Sequence, residues 1–107
     1  MSPSRTVESI LAELRLAGGP PRKLKPPALD QRTRGLVGIG AAVAMGASTQ
    51  TYGRLVEDAI AGGASPTECV GALLAVASVA GVARIVAAAP RLAAALGYDV
   101  DRAIEFE

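Results

Sequence analysis

The stretch Ser48-Thr-Gln-Thr-Tyr-Gly-Arg-Leu-Val-Glu-Asp-Ala-Ile-Ala-Gly-Gly-Ala-Ser-Pro-Thr-Glu68 decides the fold, because it contains the start and stop of one helix and the start of the next. Ser48 is a good N-cap for the first helix, and Gly62-Gly63 are placed to end it. The segment Ser65-Pro-Thr-Glu68 then combines a capping box with proline at the first helical position. The stretch therefore predicts a central helix joined by a short turn to a second helix.

The remaining apolar segments also follow the helical period, and none alternates as a strand does. A short N-terminal helix has an apolar stripe formed by Val7, Ile10, Leu11 and Leu14. Asp30 is a good N-cap for a helix from about Gln31 to Gly46. Within this helix, three small residues lie four positions apart on one helix face, namely Gly38, Ala42 and Gly46. This spacing predicts close packing of that face against another helix. We therefore predict an all-α fold, a compact helical bundle.

The second half of the chain has the same helical character. In the central helix, apolar residues recur at the spacing of one helix face, which we expect to face the core. These residues are Tyr52, Leu55, Val56, Ala59 and Ile60. The segment from Pro66 to about Ala80 is apolar almost all round, so we expect protein to surround it. Gly81 is predicted to break or bend this helix, Pro90 to interrupt the final helix, and Gly97 to cap its end.

The composition favours close packing of small side chains. Half of the 107 residues are hydrophobic, but only 3% are aromatic. Such thin side chains bury little area each, which favours further burial between copies of the chain. The net charge of +1 is small and the basic residues are scattered, so we expect no nucleic-acid partner. The longest apolar runs fall short of the roughly 18 to 20 residues that a membrane span needs, so we expect no membrane insertion.

Cys69 is the single cysteine, and the chain has no histidine. An intramolecular disulfide is therefore impossible, and we expect neither a transition-metal site nor a cofactor. Cys69 is interpreted as a small buried hydrophobic residue, because nothing near it in sequence would favour its thiolate. No segment typical of a signal peptide opens the sequence, and the predicted location is the cytoplasm.

The domain boundary is predicted near residue 26. Residues 1–26 would form the N-terminal helix and a Pro-rich basic arm, and residues 27–107 the helical domain. The arm contains Arg22, Lys23 and Lys25 among glycines and prolines. A solvated connector is the simplest interpretation. The alternative is an arm that grips a neighbouring subunit or an anionic ligand.

Candidate binding residues lie at the start of the central helix. Ser48 and Thr51 fall on the same side of this helix as Tyr52. Their hydroxyls would lie at a helix N-terminus, where the dipole favours an anionic group. Capping alone also explains Ser48. Arg34 and Arg84 are the further candidates for a pocket that takes an anion.

Taken together, these stretches resemble the carboxymuconolactone decarboxylase and alkylhydroperoxidase-D family. The resemblance covers about Pro27 to Leu96, and its matching stretches are Arg32-Thr-Arg-Gly-Leu36, Val56 to Ser65, Glu68 to Ala80 and Gly81-Val-Ala83. It implies a compact bundle of the alkylhydroperoxidase-D type. It also implies assembly of the chain with itself as a homo-trimer or homo-hexamer.

The chain departs from this family at the motif that carries its chemistry. The peroxidase branch has Cys-x-x-Cys-x-x-x-His, and an alignment on Gly63-Ala64-Ser65 places this motif on Ser48, Thr51 and Leu55. An alignment on Gly46 places it on Ala47, Gln50 and Arg54. Neither alignment supplies a thiol or an imidazole. Thiol peroxidases need a thiolate and normally a resolving thiol, and the decarboxylase branch uses an acid/base pair, so both chemistries lack their residues here.

Two functions are compatible with this sequence. The first is a non-redox, carboxymuconolactone decarboxylase-like protein that binds or transforms a small anionic molecule through residues chosen from Ser48, Thr51, Tyr52, Arg34 and Arg84. The second is an oligomeric scaffold or partner subunit with no chemistry of its own. Tyrosine and arginine can orient and polarise a substrate, so the sequence leaves the question of an enzyme open.

Overall fold

The computed structural model describes residues 7–17 and 29–98, and this part of the chain is helical without strands. The helices are α1 (Val7–Ala17), α2 (Gln31–Met45), α3 (Thr49–Ala61), α4 (Pro66–Ala75), α5 (Ala77–Ala80) and α6 (Val82–Ala95). The prediction of an all-α fold is confirmed for these residues. The prediction for the basic arm lies outside the described residues.

Side-chain caps begin three helices at the predicted positions. The Asp30 carboxylate accepts the Thr33 amide at 2.8 Å, and hydrogen bonds from Thr33 lower the pKa of Asp30. Ser48 caps α3 in the same way. At α4, Glu68 N–H donates to Ser65 Oγ at 3.1 Å, and Ser65 N–H donates to Glu68 Oε1 at 3.0 Å. The predicted capping box is therefore confirmed in both directions.

Glycines in the left-handed region end α2 and α3. Gly46 has a φ of 66° and Gly63 a φ of 103°, conformations that glycine adopts at little cost. At the end of α3, the Ala64 amide donates back to the Ala59 carbonyl at 2.9 Å, which closes a Schellman motif. Gly46 thus terminates α2, so the prediction that it packs on the same helix face as Gly38 is wrong.

Helices α2 and α3 form an antiparallel hairpin that approaches closely at Gly35 and at Gly62. A Cβ at Gly35 would lie 2.6 Å from the Ala59 Cα, and a Cβ at Gly62 would lie even closer to the Arg32 amide nitrogen, so glycine lets the backbones approach at both positions. Gly38 packs against α3 as well, but there a Cβ would meet the tip of the Leu55 side chain, at 2.7 Å from Cδ2. Around this hairpin, α4 and α6 complete a core whose buried residues are Ile39, Ala42, Val43, Tyr52, Val56, Ala59, Ala64, Cys69, Leu73, Ala88 and Leu92.

Burial of the second half is lower than the sequence predicted. The predicted helix from Pro66 to Ala80 is divided at Val76 into α4 and α5. Cys69 and Leu73 are buried, but other apolar side chains of this segment are exposed in the single chain, by 62% for Leu74 and 86% for Val79. Ile60, which the spacing placed in the core, is also 44% exposed. The predicted enclosure of the 66–80 segment is therefore wrong for one chain, because the hairpin covers only one face of α4 and α5.

Pro90 lies inside α6 and does not interrupt it, contrary to the prediction. Proline lacks the amide that would donate to the carbonyl of Val86 four residues earlier. Both Pro90 and Val86 are exposed, so water can satisfy that carbonyl. Helix α6 continues to Ala95, and Leu96 is its C-cap residue. Gly97 follows in the left-handed region, at the position where the sequence predicted a glycine cap.

Candidate functional site

Ser48 and Thr51 contact each other at the start of α3. Their hydroxyl oxygens are 3.2 Å apart, and the Thr51 amide donates to Ser48 Oγ at 3.3 Å. The first hydrogen bond within the helix runs from the Tyr52 amide to the Ser48 carbonyl at 3.2 Å. The Thr49 and Gln50 amides come before it and have no acceptor within the helix. This helix end therefore presents amide and hydroxyl donors together, as the sequence predicted.

Two arginines of α6 reach the short link between α2 and α3. Arg91 Nη1 donates to the Ala47 carbonyl at 2.8 Å and lies 3.5 Å from the Gly46 carbonyl. Arg84 reaches the same link, since a Cβ at Gly46 would lie 3.0 Å from Arg84 Nη1. Arg91 thus lies beside Ala47, the residue that precedes Ser48, and Arg84 lies beside Gly46, one residue earlier. We call the group Ser48, Thr51, Tyr52, Arg84 and Arg91 the turn site.

Arg34, the remaining candidate from the sequence, lies at the opposite end of α2. It is in the first turn, where its amide donates to the Asp30 carbonyl at 2.9 Å. Twelve residues separate Arg34 from Gly46, which corresponds to about 18 Å along a helix. The structure therefore brings Arg84 to the start of α3 but does not bring Arg34 there.

Charge is segregated along the bundle. The sequence has no Asp or Glu from residue 31 to 56 or from residue 69 to 98. The bundle's carboxylates gather at the far end of the α2–α3 hairpin, where Arg32 pairs with Glu68 and Gln31 Nε2 donates to Asp58 Oδ1 at 3.3 Å. The turn site thus has two guanidinium groups, while the bundle's carboxylates lie at its other end. An anion near Ser48 would be attracted by these two groups, and the described carboxylates of the bundle lie too far away to repel it strongly.

Tyr52 extends the turn site into the core. Its side chain is fully buried, and its hydroxyl has no hydrogen-bond partner among the described residues. Burial raises the pKa of the Tyr52 hydroxyl, an effect that the positive charge of Arg91 partly offsets. Buried hydroxyls nearly always have a partner in folded proteins. The Tyr52 hydroxyl is therefore a buried donor that no described protein group satisfies.

Cys69 lies in the core and not at the turn site. Its side chain is 0% exposed, and burial raises the pKa of its thiol. A thiol in this setting stays protonated and is a poor nucleophile. Within the described residues, no group of three His, Cys, Asp or Glu side chains is placed to hold a metal ion. Nor does that part of the chain have a helix that meets the length and hydropathy required to cross a membrane.

The sequence profile of the Carboxymuconolactone decarboxylase family matches residues 21–95. The chain belongs to the carboxymuconolactone decarboxylase family. The resemblance predicted from about Pro27 to Leu96 is thereby confirmed. Searches of curated proteins and of solved structures each gave no significant match.

The start of α3 is where one of the two alignments from the sequence places the peroxidase motif of the carboxymuconolactone decarboxylase family. Ser48 and Thr51 occupy the start of α3, and Leu55 packs against Gly38, so no imidazole lies one turn further along. A serine or threonine hydroxyl needs a neighbouring base to act as a nucleophile. The turn site offers arginines and a tyrosine in place of such a base. Its chemistry therefore suits recognition of an anion.

Arg91 is the residue that the sequence analysis missed. Arg91 directly follows Pro90 in the sequence, and in the structure it makes the best-defined contact of the turn site, with the Ala47 carbonyl. A signal was available in the spacing. Arg84 and Arg91 are seven residues apart in one helix, and this separation places them on the same face.

We expect no thiol-dependent hydroperoxidase activity from this protein. A peroxidatic thiolate must attack the peroxide oxygen, and a second thiol normally resolves the sulfenic acid that forms. Cys69 is the single thiol and is buried in protonated form. Reduction of an alkyl hydroperoxide by the purified protein should not exceed that by free cysteine. The Cys69→Ser variant should behave identically, with a stability loss of about 1 to 2 kcal/mol for burying a hydroxyl. Enzymatic peroxide reduction that this substitution abolishes would contradict the prediction.

Proposed function

We propose that this protein is a non-redox member of its family that binds a small anionic molecule at the turn site. The observation that carries the proposal is the convergence of Arg84 and Arg91 on the link that leads into Ser48. These two cations and the amides at the start of α3 form a positive region, and the carboxylates that the structure describes in α2–α4 lie toward the other end of the bundle. Guanidinium groups bind carboxylates and phosphates in a bidentate manner, so either group suits the site.

The proposed ligand is a carboxylate or phosphate compound with an additional oxygen. One end of the anion would meet Arg84 and the Thr49 and Gln50 amides at the surface. The Ser48 and Thr51 hydroxyls, which already contact each other, can rotate to donate to the same group. The Tyr52 hydroxyl lies deeper and would donate to a further oxygen of a ligand or to a water beneath it.

Calorimetric titration with succinate tests this proposal, and succinamide is the matched neutral control. The two probes have the same carbon chain, but only succinate carries carboxylates. We expect succinate to bind at least about tenfold more tightly, because charge-assisted hydrogen bonds contribute roughly 1.5 to 3 kcal/mol. Inorganic phosphate, titrated in parallel, reports whether the site prefers a carboxylate or a phosphate. Equal, weak heats from succinate and succinamide would contradict the proposal.

A second proposal, supported by a different observation, is self-association as a homo-trimer or homo-hexamer. Four apolar side chains around α5 are exposed in the single chain by 62 to 86%, namely Leu74, Val79, Val82 and Val86. We call these four residues the α5 face. Contiguous apolar surface of this kind is typical of interfaces between subunits. Within an assembly, a second copy of the chain would cover this face, as expected for an apolar segment that the sequence predicted to be surrounded by protein.

Sedimentation at micromolar protein concentration tests the self-association. We expect a species of three or six chains of 10.8 kDa each. The Val82→Asp variant should shift the population toward the monomer, since a carboxylate would be buried in the interface. Ala41→Asp, an exposed change on α2, is the matched control and should leave the assembly intact. A wild-type monomer at these concentrations would contradict the proposal.

A further inference from the structure

Helix α1 has an apolar stripe with no cover. Its stripe residues Val7, Leu11 and Leu14 are 73%, 59% and 44% exposed. The helix is only 11 residues long. Isolated helices shorter than about 12 to 15 residues are marginal in water, so α1 needs a packing partner to remain folded.

A groove between α4 and α6 offers a surface of matching shape. It encloses about 350 Å³ and is lined mainly by apolar side chains, among them Val70, Leu73, Leu92 and Leu96. No charged side chain lines it. Helices that dock into such grooves use apolar residues at positions i, i+4 and i+7. The stripe of α1 has this spacing.

The path of the chain brings α1 within reach of this groove. Pro66 and Thr67 line one end of the groove, and the next residue, Glu68, pairs with Arg32 in the first turn of α2. The segment that joins α1 to α2 therefore ends close to the part of the α4–α6 groove that Pro66 and Thr67 line. Residues 18–28 can span up to about 36 to 40 Å when extended. This length suffices to reach either the groove of the same chain or that of an adjoining copy.

We propose that α1 of one copy packs into the α4–α6 groove of a second copy. In the single chain both surfaces are open, although the connector is long enough for the helix to reach its own groove. Each copy would donate one helix and receive one, an arrangement that closes in a dimer or in a ring of three. This inference extends the proposed self-association by naming a second interface, distinct from the α5 face.

Disulfide trapping between singly substituted full-length chains tests the exchange, in a Cys69→Ala background. One chain carries Leu11→Cys, and the other carries Val70→Cys and a tag that alters its mass. Co-refolding and mild oxidation should give a cross-linked species that contains one chain of each kind, in at least tenfold excess over a control pair in which Ala41→Cys replaces Val70→Cys. Both Val70 and Ala41 are exposed, so neither substitution is expected to prevent folding.

Each other outcome overturns the exchange in a distinct way. A doubly substituted Leu11→Cys/Val70→Cys chain that cross-links only within itself would assign the groove to the chain's own α1. An oligomer by sedimentation without any α1–groove cross-link would overturn the exchange and leave self-association through the α5 face in place. A monomer that forms no cross-link would overturn both proposals.

Discussion

Replacing Gly35 with valine should destabilise this protein by about 2 to 3 kcal/mol, because the new side chain would clash with the backbone of the facing helix. A Cβ at this position would lie 2.6 Å from the Cα and 2.7 Å from the amide nitrogen of Ala59. These are backbone atoms of the facing helix, so no side-chain rotation can relieve the clash. The helices α2 and α3 must separate, and the separation would loosen the core around Ala59.

The Gly71→Ala variant is the control for this prediction. Gly71 is exposed within α4, and a Cβ there would meet no atom within 4 Å. Alanine is a better helix former than glycine by roughly 0.8 to 1 kcal/mol, so this variant should be slightly more stable. Thermal unfolding followed by circular dichroism compares the two, and the Gly35→Val midpoint should fall by roughly 10 °C or more. A Gly35→Val protein as stable as the wild type would mean that the hairpin is not packed as described.

Removing both arginines of the turn site should weaken succinate binding by about 100-fold. The double variant Arg84→Gln/Arg91→Gln keeps amide donors but loses both positive charges. Each charge-assisted contact is worth roughly 1.5 kcal/mol or more, which corresponds to about tenfold in affinity. Arg84→Gln alone should account for about tenfold, and because Arg84 is exposed this change should not affect folding.

The matched control for the arginine variants is Arg34→Gln. It removes the same charge from an equally exposed position, but at the opposite end of α2. Calorimetric titration with succinate should give an affinity within about twofold of wild type, since exposed charges farther apart than about 10 Å are largely screened at 0.1 M salt. Equal losses from Arg34→Gln and Arg84→Gln would show that only net charge matters, and the turn site would then have no special role.

The local features of the fold were predictable because they depend on short-range chemistry. Asp30, Ser48 and Ser65 each form the cap that their sequence position indicates. The family resemblance, carried by patterns spread over the bundle, was likewise sufficient to identify the family. Helix spacing also identified most of the core face of α3, although Leu55 is only half-buried.

The features that sequence analysis missed depend on tertiary placement. Pro90 was expected to interrupt its helix, but Pro90 and Val86 are both exposed, so water can satisfy the carbonyl that loses its donor. The burial of the 66–80 segment was overestimated because the apolar pattern does not reveal whether the covering surface belongs to the same chain. Arg91 escaped notice for a similar reason, since only the path of α6 brings it to the Ala47 carbonyl.

Amide chemical-shift mapping of the isotopically labelled protein during a succinate titration tests the central claim most directly, because it locates the anion as well as detecting it. The account predicts the largest shifts at the Thr49, Gln50 and Thr51 amides, with saturation at the affinity measured by calorimetry. Amides at the start of α4, a capped helix N-terminus that lacks the two arginines, should move little and serve as the internal reference. Largest shifts at α4 or along the α4–α6 groove, or no saturable shifts at the start of α3, would contradict an anion site at the turn between α2 and α3.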